Sequence, residues 1–199
     1  MKNIINEDHL YHSPIFDLYH AKIQSPNTKE MIERDIIRHP DAVAILPYTI
    51  AKANPHKITR VLTTEEYRCG INKISTAIVA GLVEPKENPL TTTIRELKEE
   101  AGIIIPTTKL NYVKKINSSE NFTDESVTVF VACVGTTSNY SDPKINFYDD
   151  IKFTKPHFDN GGEFVKTKWT TLNELSDHTN AAPSVVAVMY LESLSERGY

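Results

Sequence analysis

Glu96, Glu99 and Glu100 stand at i, i+3 and i+4 in the segment GLVEPKENPLTTTIRELKEEAGI, residues 81–103. On a helix that spacing sends all three side chains from one face. Carboxylates this close repel one another, and two readings account for them. One is a solvated acidic face. The other is a hard divalent cation held by oxygen ligands, as magnesium is held by one or two carboxylates together with substrate phosphates.

The element that must position them is a helix over about residues 89–101. Leu90, Ile94, Leu97 and Ala101 repeat at helical spacing on roughly the opposite face and are expected to meet a core. Asn88 suits the N-cap, Pro89 the first helical position and Gly102 the residue past the end.

The surrounding residues separate the two readings. Gly81, Glu87, Arg95, Glu96, Leu97, Glu99, Glu100, Gly102 and Ile103 fit the Nudix box at every position. The chain thus resembles the Nudix hydrolases. The resemblance implies an α+β fold, with mixed β-sheets sandwiched between helices (α/β/α), and a loop–helix–loop that holds divalent metal against a diphosphate. It implies Mg²⁺, or Mn²⁺, with Glu96, Glu99 and Glu100 as metal ligands or water-positioning groups. Glu87 and Arg95 are expected to be structural, since a guanidinium can bridge carboxylates and fix the loop against the helix.

The whole chain is consistent with such an enzyme. Its 199 residues fit one domain, or one domain with an extension, and 40% of them are apolar, enough for a core. The net charge of −4 gives no general pull toward nucleic acid or acidic lipid. No apolar run reaches membrane-spanning length and no signal sequence is legible, so a cytoplasmic location is expected, with no nucleic acid or membrane partner. Cys69 and Cys133 are expected to be buried free thiols.

Strands are expected at 41–47, 58–67, 75–79, 110–116 and 126–134, with a last one at 163–169. Residues 136–160 show no period and read as a long loop. A short helix starts at 171–175 and a C-terminal helix covers 183–194. Before the box-bearing domain (40–199), residues 1–39 read as an extension carrying a β-hairpin, with strands at about 15–23 and 30–38. The hairpin has no role in a single core, so a homodimer is expected.

Several flanking segments resemble the ADP-ribose pyrophosphatase branch of the family: RDIIRHPDAVAIL (34–46), TTEEYR (63–68), VAGLVEP (79–85), SENFTDESVTVFVA (119–132) and NAAPSVVAVMYL (180–191). In that branch the N-terminal segment is exchanged between subunits. Arg34 and Asp35 fall where a basic–acidic pair touches ADP-ribose, and Arg68 where an arginine meets phosphate or ribose. Ala80 falls where a backbone carbonyl is a further metal ligand. Glu66 stands in place of a glutamine. The catalytic base of that branch comes from a loop after the sheet. The comparable loop here is PHFDNGGEF (156–164), with Glu163 as the base, Asp159 as its nearest substitute and Glu99 as the base if it lies in the box. The chain departs from the pattern at Ala77, at Glu120-Asn121 and at Gly162-Glu163. The expected reaction is hydrolysis of ADP-ribose to AMP and ribose 5-phosphate. GDP-mannose or another nucleotide sugar is an alternative substrate, and a non-catalytic sensor of ADP-ribose or a nucleotide sugar an alternative function.

Overall fold

The structure, a computed structural model, describes residues 3–139, 143–157 and 165–197. Chain order begins with three strands, β1 (Ile4–His12), β2 (Asp17–Gln24) and β3 (Met31–Arg38), joined as an antiparallel meander. The hairpin expected from the sequence is β2–β3. β1 is an addition to it: NEDHLYH has no clean alternation, and the strand exists because β2 offers its edge. Ser13 makes the first turn by accepting the amides of Ile15 and Phe16 at 3.2 and 2.9 Å. The sheet leaves Ile5, Leu10, Tyr11, Ile15 and Met31 exposed. It is tied to the rest of the chain by Ile37, whose amide donates to the Phe122 carbonyl at 2.7 Å, and by Arg38, which pairs with Asp124 at 3.1 Å.

The body is one mixed sheet between helices. β4 (Ala42–Ala51) lies at its centre, followed by β5 (Asn54–Arg68), β6 (Lys73–Ala77) and β7 (Val79–Leu82). Helix α1 (Pro89–Ala101) comes next, then β8 (Ile103–Ile104), β9 (Asn111–Asn117) and β10 (Ser126–Thr137). The chain closes with β11 (Asn146–Phe147), β12 (Lys152–Phe153), β13 (Lys166–Thr170), α2 (Leu172–His178) and α3 (Ala182–Arg197). β10 runs parallel to β4, while β5 and β7 are antiparallel to it.

The sandwich follows from the two-residue period of the strands. On β4, Val43 and Ile45 join Leu97 of α1 in one core. Ala42, Ala44 and Leu46 join Leu175 of α2 and Ala187 and Leu191 of α3 in the other. Each fully buried Leu or Ile contributes about 1.5–3 kcal/mol by leaving water. No helix among the described residues is long and apolar enough to cross a membrane.

β4 forks the sheet. Its first half, from Ala42 to Ile45, pairs with β7, and its last turn of pairing, from Tyr48 on, is with β5. β5 then leaves β4 and pairs with β6 and β13 instead. The fork brings the end of β5, the strand β7 and helix α1 toward one place.

Three expectations are corrected. Leu90 is half-exposed rather than core, and α1 packs through Leu97, Ile94 and Ala101. The stretch 136–160 carries the two short strands β11 and β12, which pair with β10 and β8; two-residue strands show no period and depend on their partners. Cys69 is exposed on the turn after β5 and Cys133 is half-buried, both with free thiols.

Candidate active site

Local chemistry sets the limits of α1. The Asn88 side chain accepts the amides of Leu90 and Thr91 at 3.0 and 3.1 Å, and Thr91 Oγ1 accepts the Asn88 amide at 3.1 Å. Pro89 opens the helix and Gly102, at φ 65°, ends it in the left-handed region that favours glycine. The helix therefore runs over the residues its caps predict, and Glu96, Glu99 and Glu100 leave it together.

They do not leave it into open water. Glu96 is only 9% exposed, because α1 lies across β7 at Gly81. A Cβ at Gly81 would stand 2.0 Å from the Glu96 carboxyl carbon. The glycine is required here for close approach, letting a carboxylate rest on strand backbone. Burial pushes the Glu96 carboxyl up to about 7, against the pull of Arg95. Burial likewise pushes Glu100 up to about 8; Glu96 and Glu66 add repulsion, while Arg68 and a hydrogen bond from the Ala80 backbone oppose it. The reading of a solvated acidic face is set aside by this packing.

Arg95 binds the box together. Its Nε and Nη2 donate to Glu87 at 3.1 and 3.0 Å, its Nη1 to Glu96 at 2.7 Å and Glu99 at 3.0 Å, and Nη2 also to the Leu82 carbonyl at 3.0 Å. Thr92 adds a hydrogen bond to Glu87 at 2.8 Å. The guanidinium holds Glu87 below the usual carboxylate range and is itself strengthened as a base. Its donors are all engaged with protein, as expected of a structural arginine.

The end of β5 supplies the other half. Arg68 Nη2 pairs with Glu66 at 2.7 Å, and Glu66, 9% exposed, carries its charge close to Glu100. Arg68 and Ala80 line one cleft of about 530 Å³, bounded on its far side by the first turn of α3. Glu66 was given no role by the sequence reading. The signal was present: Thr64, Glu66 and Arg68 alternate on a strand, so they share a face.

Arg34 and Asp35 lie elsewhere: they are consecutive on β3 and so point to opposite faces of the N-terminal sheet. Asp35 pairs with His20 at 2.8 Å, and Arg34 donates to the Glu33 carbonyl at 2.7 Å. Arg34 lines a second cleft of about 610 Å³ with Arg38 and Phe122, sharing no residue with the cleft of Arg68. Glu163 and Asp159 lie outside the described residues.

The donor set suits a hard cation: carboxylates and a carbonyl, all oxygen. Among the described residues no three His, Cys, Asp or Glu side chains already converge as ligands. Arg95 Nη1 bonds both Glu96 and Glu99 and so holds these two carboxylates beside one another. The buried Glu96 and half-buried Glu100, both raised by desolvation, are what a divalent ion would relieve. Glu96, Glu99, Glu100 and the Ala80 carbonyl are the groups that would hold it.

A consequence for stability follows. Both raised carboxyls start from 4.5 in the unfolded chain and reach about 7 and about 8 in the fold. Between 4.5 and those values the folded state keeps protons the unfolded chain has lost, so stability is full below 4.5 and falls as pH rises through the folded values. The melting temperature in chelator is expected to drop from about pH 5 to about pH 9 through this pair. Magnesium should cancel most of the drop, and its apparent affinity should rise over the same range. Thermal melts with and without magnesium across pH check this; a flat or rising curve in chelator contradicts it.

Sandwich, forked sheet and box together define a class. A family model of the NUDIX domain matches residues 39–189, and the chain belongs to the Nudix family of hydrolases. Its likeness lies with the ADP-ribose pyrophosphatase-like branch. It is 31% identical over 128 residues to the ADP-ribose pyrophosphatase of Bacillus subtilis (strain 168), a match spanning 64% of each chain. It is 27% identical over 188 residues to the methanol dehydrogenase activator of Bacillus methanolicus, covering 94% of this chain and 91% of that one. A solved structure of an ADP compounds hydrolase superposes with a TM-score of 0.71 at 19% identity, over 99% of this chain and 96% of its own, which shows the shared fold.

Proposed function

We propose that the protein is a cytoplasmic, metal-dependent hydrolase of the diphosphate bond in a nucleoside diphosphate sugar, with ADP-ribose as its first substrate. One observation carries the reading. The box carboxylates, the Ala80 backbone and Arg68 meet where the sheet forks, beside a cleft large enough for part of a nucleotide. Water adds across the P–O–P linkage, giving AMP and ribose 5-phosphate. A bound magnesium or manganese ion supplies polarisation of the phosphoryl oxygens and a more acidic water. Arg68, oriented by Glu66, donates its planar fork to phosphate oxygens. Arg95 keeps the carboxylates in register. Turnover of a panel of nucleotide diphosphates with magnesium or manganese tests this. If none is cleaved by folded protein, the reading is wrong; cleavage of GDP-mannose in preference to ADP-ribose would change the substrate alone.

Glu163 is proposed as the base that takes the proton from water. The residues flanking its loop support this. The His157 amide donates to the Glu99 carbonyl at 2.9 Å, and β13 begins with Lys166 opposite Glu65, next to Glu66. Both ends of the loop are thus anchored at the site. Glu163→Gln is expected to lower kcat about 10²-fold or more with metal affinity unchanged. Near-normal turnover in that variant, with turnover abolished in Glu99→Gln, moves the base into the box.

Residues 1–39 are proposed to dimerise the chain and to bring Arg34 and Asp35 to the substrate. The exposed Ile5, Leu10, Tyr11, Ile15 and Met31 of the N-terminal sheet support this. A chain starting at residue 40 is expected to be monomeric and inactive by light scattering and assay. An active full-length monomer rules the proposal out.

A second reading, a protein that senses a nucleotide or activates an enzyme, draws on the alignment with the methanol dehydrogenase activator, which includes nearly the whole chain. Tight ADP-ribose binding with no product after hours selects it.

A further inference from the structure

The last carbonyls of a helix have no partner within it. At the end of α1 they are met by residues 152–157, a strap laid across the close of the box. The His157 amide donates to the Glu99 carbonyl at 2.9 Å. Just past the helix, the Thr154 amide donates to the Gly102 carbonyl at 2.8 Å. β12 carries the contact on, with Phe153 opposite Ile103 and Lys152 opposite Ile104. The strap lies so close that a side chain at Gly102 would run into the Thr154 carbonyl. Glu99 and Glu100 belong to the turn that these contacts fix.

A ladder of two residues is too short to hold such a strap alone. Aromatic rings supply the rest. Phe153 stands edge-on to Phe147 at 4.6 Å between centroids, and Phe147 edge-on to Trp169 at 6.0 Å. Contacts of this kind fix direction as well as burying surface. Both inner rings are tied to the main sheet. Trp169 lies on β13 opposite Leu62 of β5, and Phe147 lies on β11 opposite Gly135 of β10. A side chain at Gly135 would collide with the Asn146 carbonyl, so β11 is seated on that glycine. Phe153 itself is 54% exposed, and its ring adds little to the core. We propose that the strap is a positioning element of the metal site and that Phe153 is the residue that seats it. Phe153 acts at a distance: its ring holds the strap, the two amides hold the last turn of α1, and that turn aims Glu99 and Glu100. The inference rests on the reading that these carboxylates hold a divalent ion.

Wild type, Phe153→Ala, Phe153→Tyr and Thr154→Pro are compared by amide hydrogen exchange in chelator and by calorimetric titration with magnesium. Thr154→Pro deletes one of the two amides and leaves the rings in place. In Phe153→Ala and Thr154→Pro, exchange at Glu100, Ala101 and Gly102 is expected to quicken about tenfold, with the earlier turns of α1 unchanged. Magnesium affinity should fall about fivefold, and kcat with ADP-ribose about tenfold at unchanged KM. Phe153→Tyr keeps the ring and should match wild type. A lower melting temperature with last-turn exchange and magnesium affinity unchanged makes Phe153 a residue of stability alone and overturns the proposal. Quickened exchange with magnesium affinity unchanged overturns it too, as does a tyrosine variant as impaired as the alanine one. Exchange and magnesium affinity decide the strap even if wild type cleaves no nucleotide diphosphate, so its failure and that of the hydrolase reading are separate results.

Discussion

Glu100→Gln is expected to lower kcat/KM with ADP-ribose by on the order of 10³-fold, while raising the melting temperature of the metal-free protein above about pH 8. The two effects have one cause. In the fold the Glu100 carboxyl is largely withdrawn from water, repelled by Glu96 and Glu66, and pushed up to about 8. Without metal its ionisation is a cost, and a neutral amide of the same shape removes that cost while keeping the packing. With metal its charge is the useful part, since an amide oxygen is a far weaker ligand for a hard cation. The variant should therefore lose most of the magnesium-induced gain in melting temperature. Kinetics and melts in chelator and in magnesium check both arms. A variant that turns over normally shows that Glu100 is no ligand, and one that melts lower in chelator shows that its charge is stabilised by contacts other than those described.

Gly81→Ala is expected to reduce kcat about 10²-fold and destabilise the fold by about 1–3 kcal/mol. The added methyl would lie 2.0 Å from both the Glu96 carboxyl carbon and Oε1. The φ of Gly81 is not in the left-handed region, so backbone strain is not the mechanism. Something must move: the carboxylate, which Arg95 holds at 2.7 Å, or the helix that carries it. Either movement displaces a proposed metal ligand from Ala80 and Glu100. Chemical denaturation and steady-state kinetics measure the two losses. Wild-type values in both show that the Glu96 side chain can turn away freely, and with it fails the view that the glycine exists to seat that carboxylate.

The elements that local chemistry controls were open to reading. Asn88, Pro89 and Gly102 set the ends of α1 because capping satisfies backbone groups within one turn, whatever the rest of the chain does. The apolar runs of β4 and β10 announced a buried sheet because strands covered on both faces admit little else. The box spacing placed three carboxylates on one helix face, since 3.6 residues per turn leaves no choice.

Tertiary structure decided what those carboxylates experience. The amphipathic pattern of α1 put Leu90 inside and Glu96 outside, yet Glu96 is the more buried because β7 crosses beneath it at a glycine. No helical period carries that information, as the crossing depends on a strand paired to β4. The meeting of Glu66 with Glu100 arises from the fork of the sheet, which joins residues far apart in sequence. β1 had no pattern of its own and forms on the edge of β2. Ser184 is an ordinary helix serine in the sequence, and only the packing of α3 on the sheet leaves its hydroxyl buried and alone. Local spacing settles the helix, its caps, its acidic face and the family resemblance; the burial that shifts those acids, and the cleft beside them, come from contacts between elements that the chain brings together only on folding.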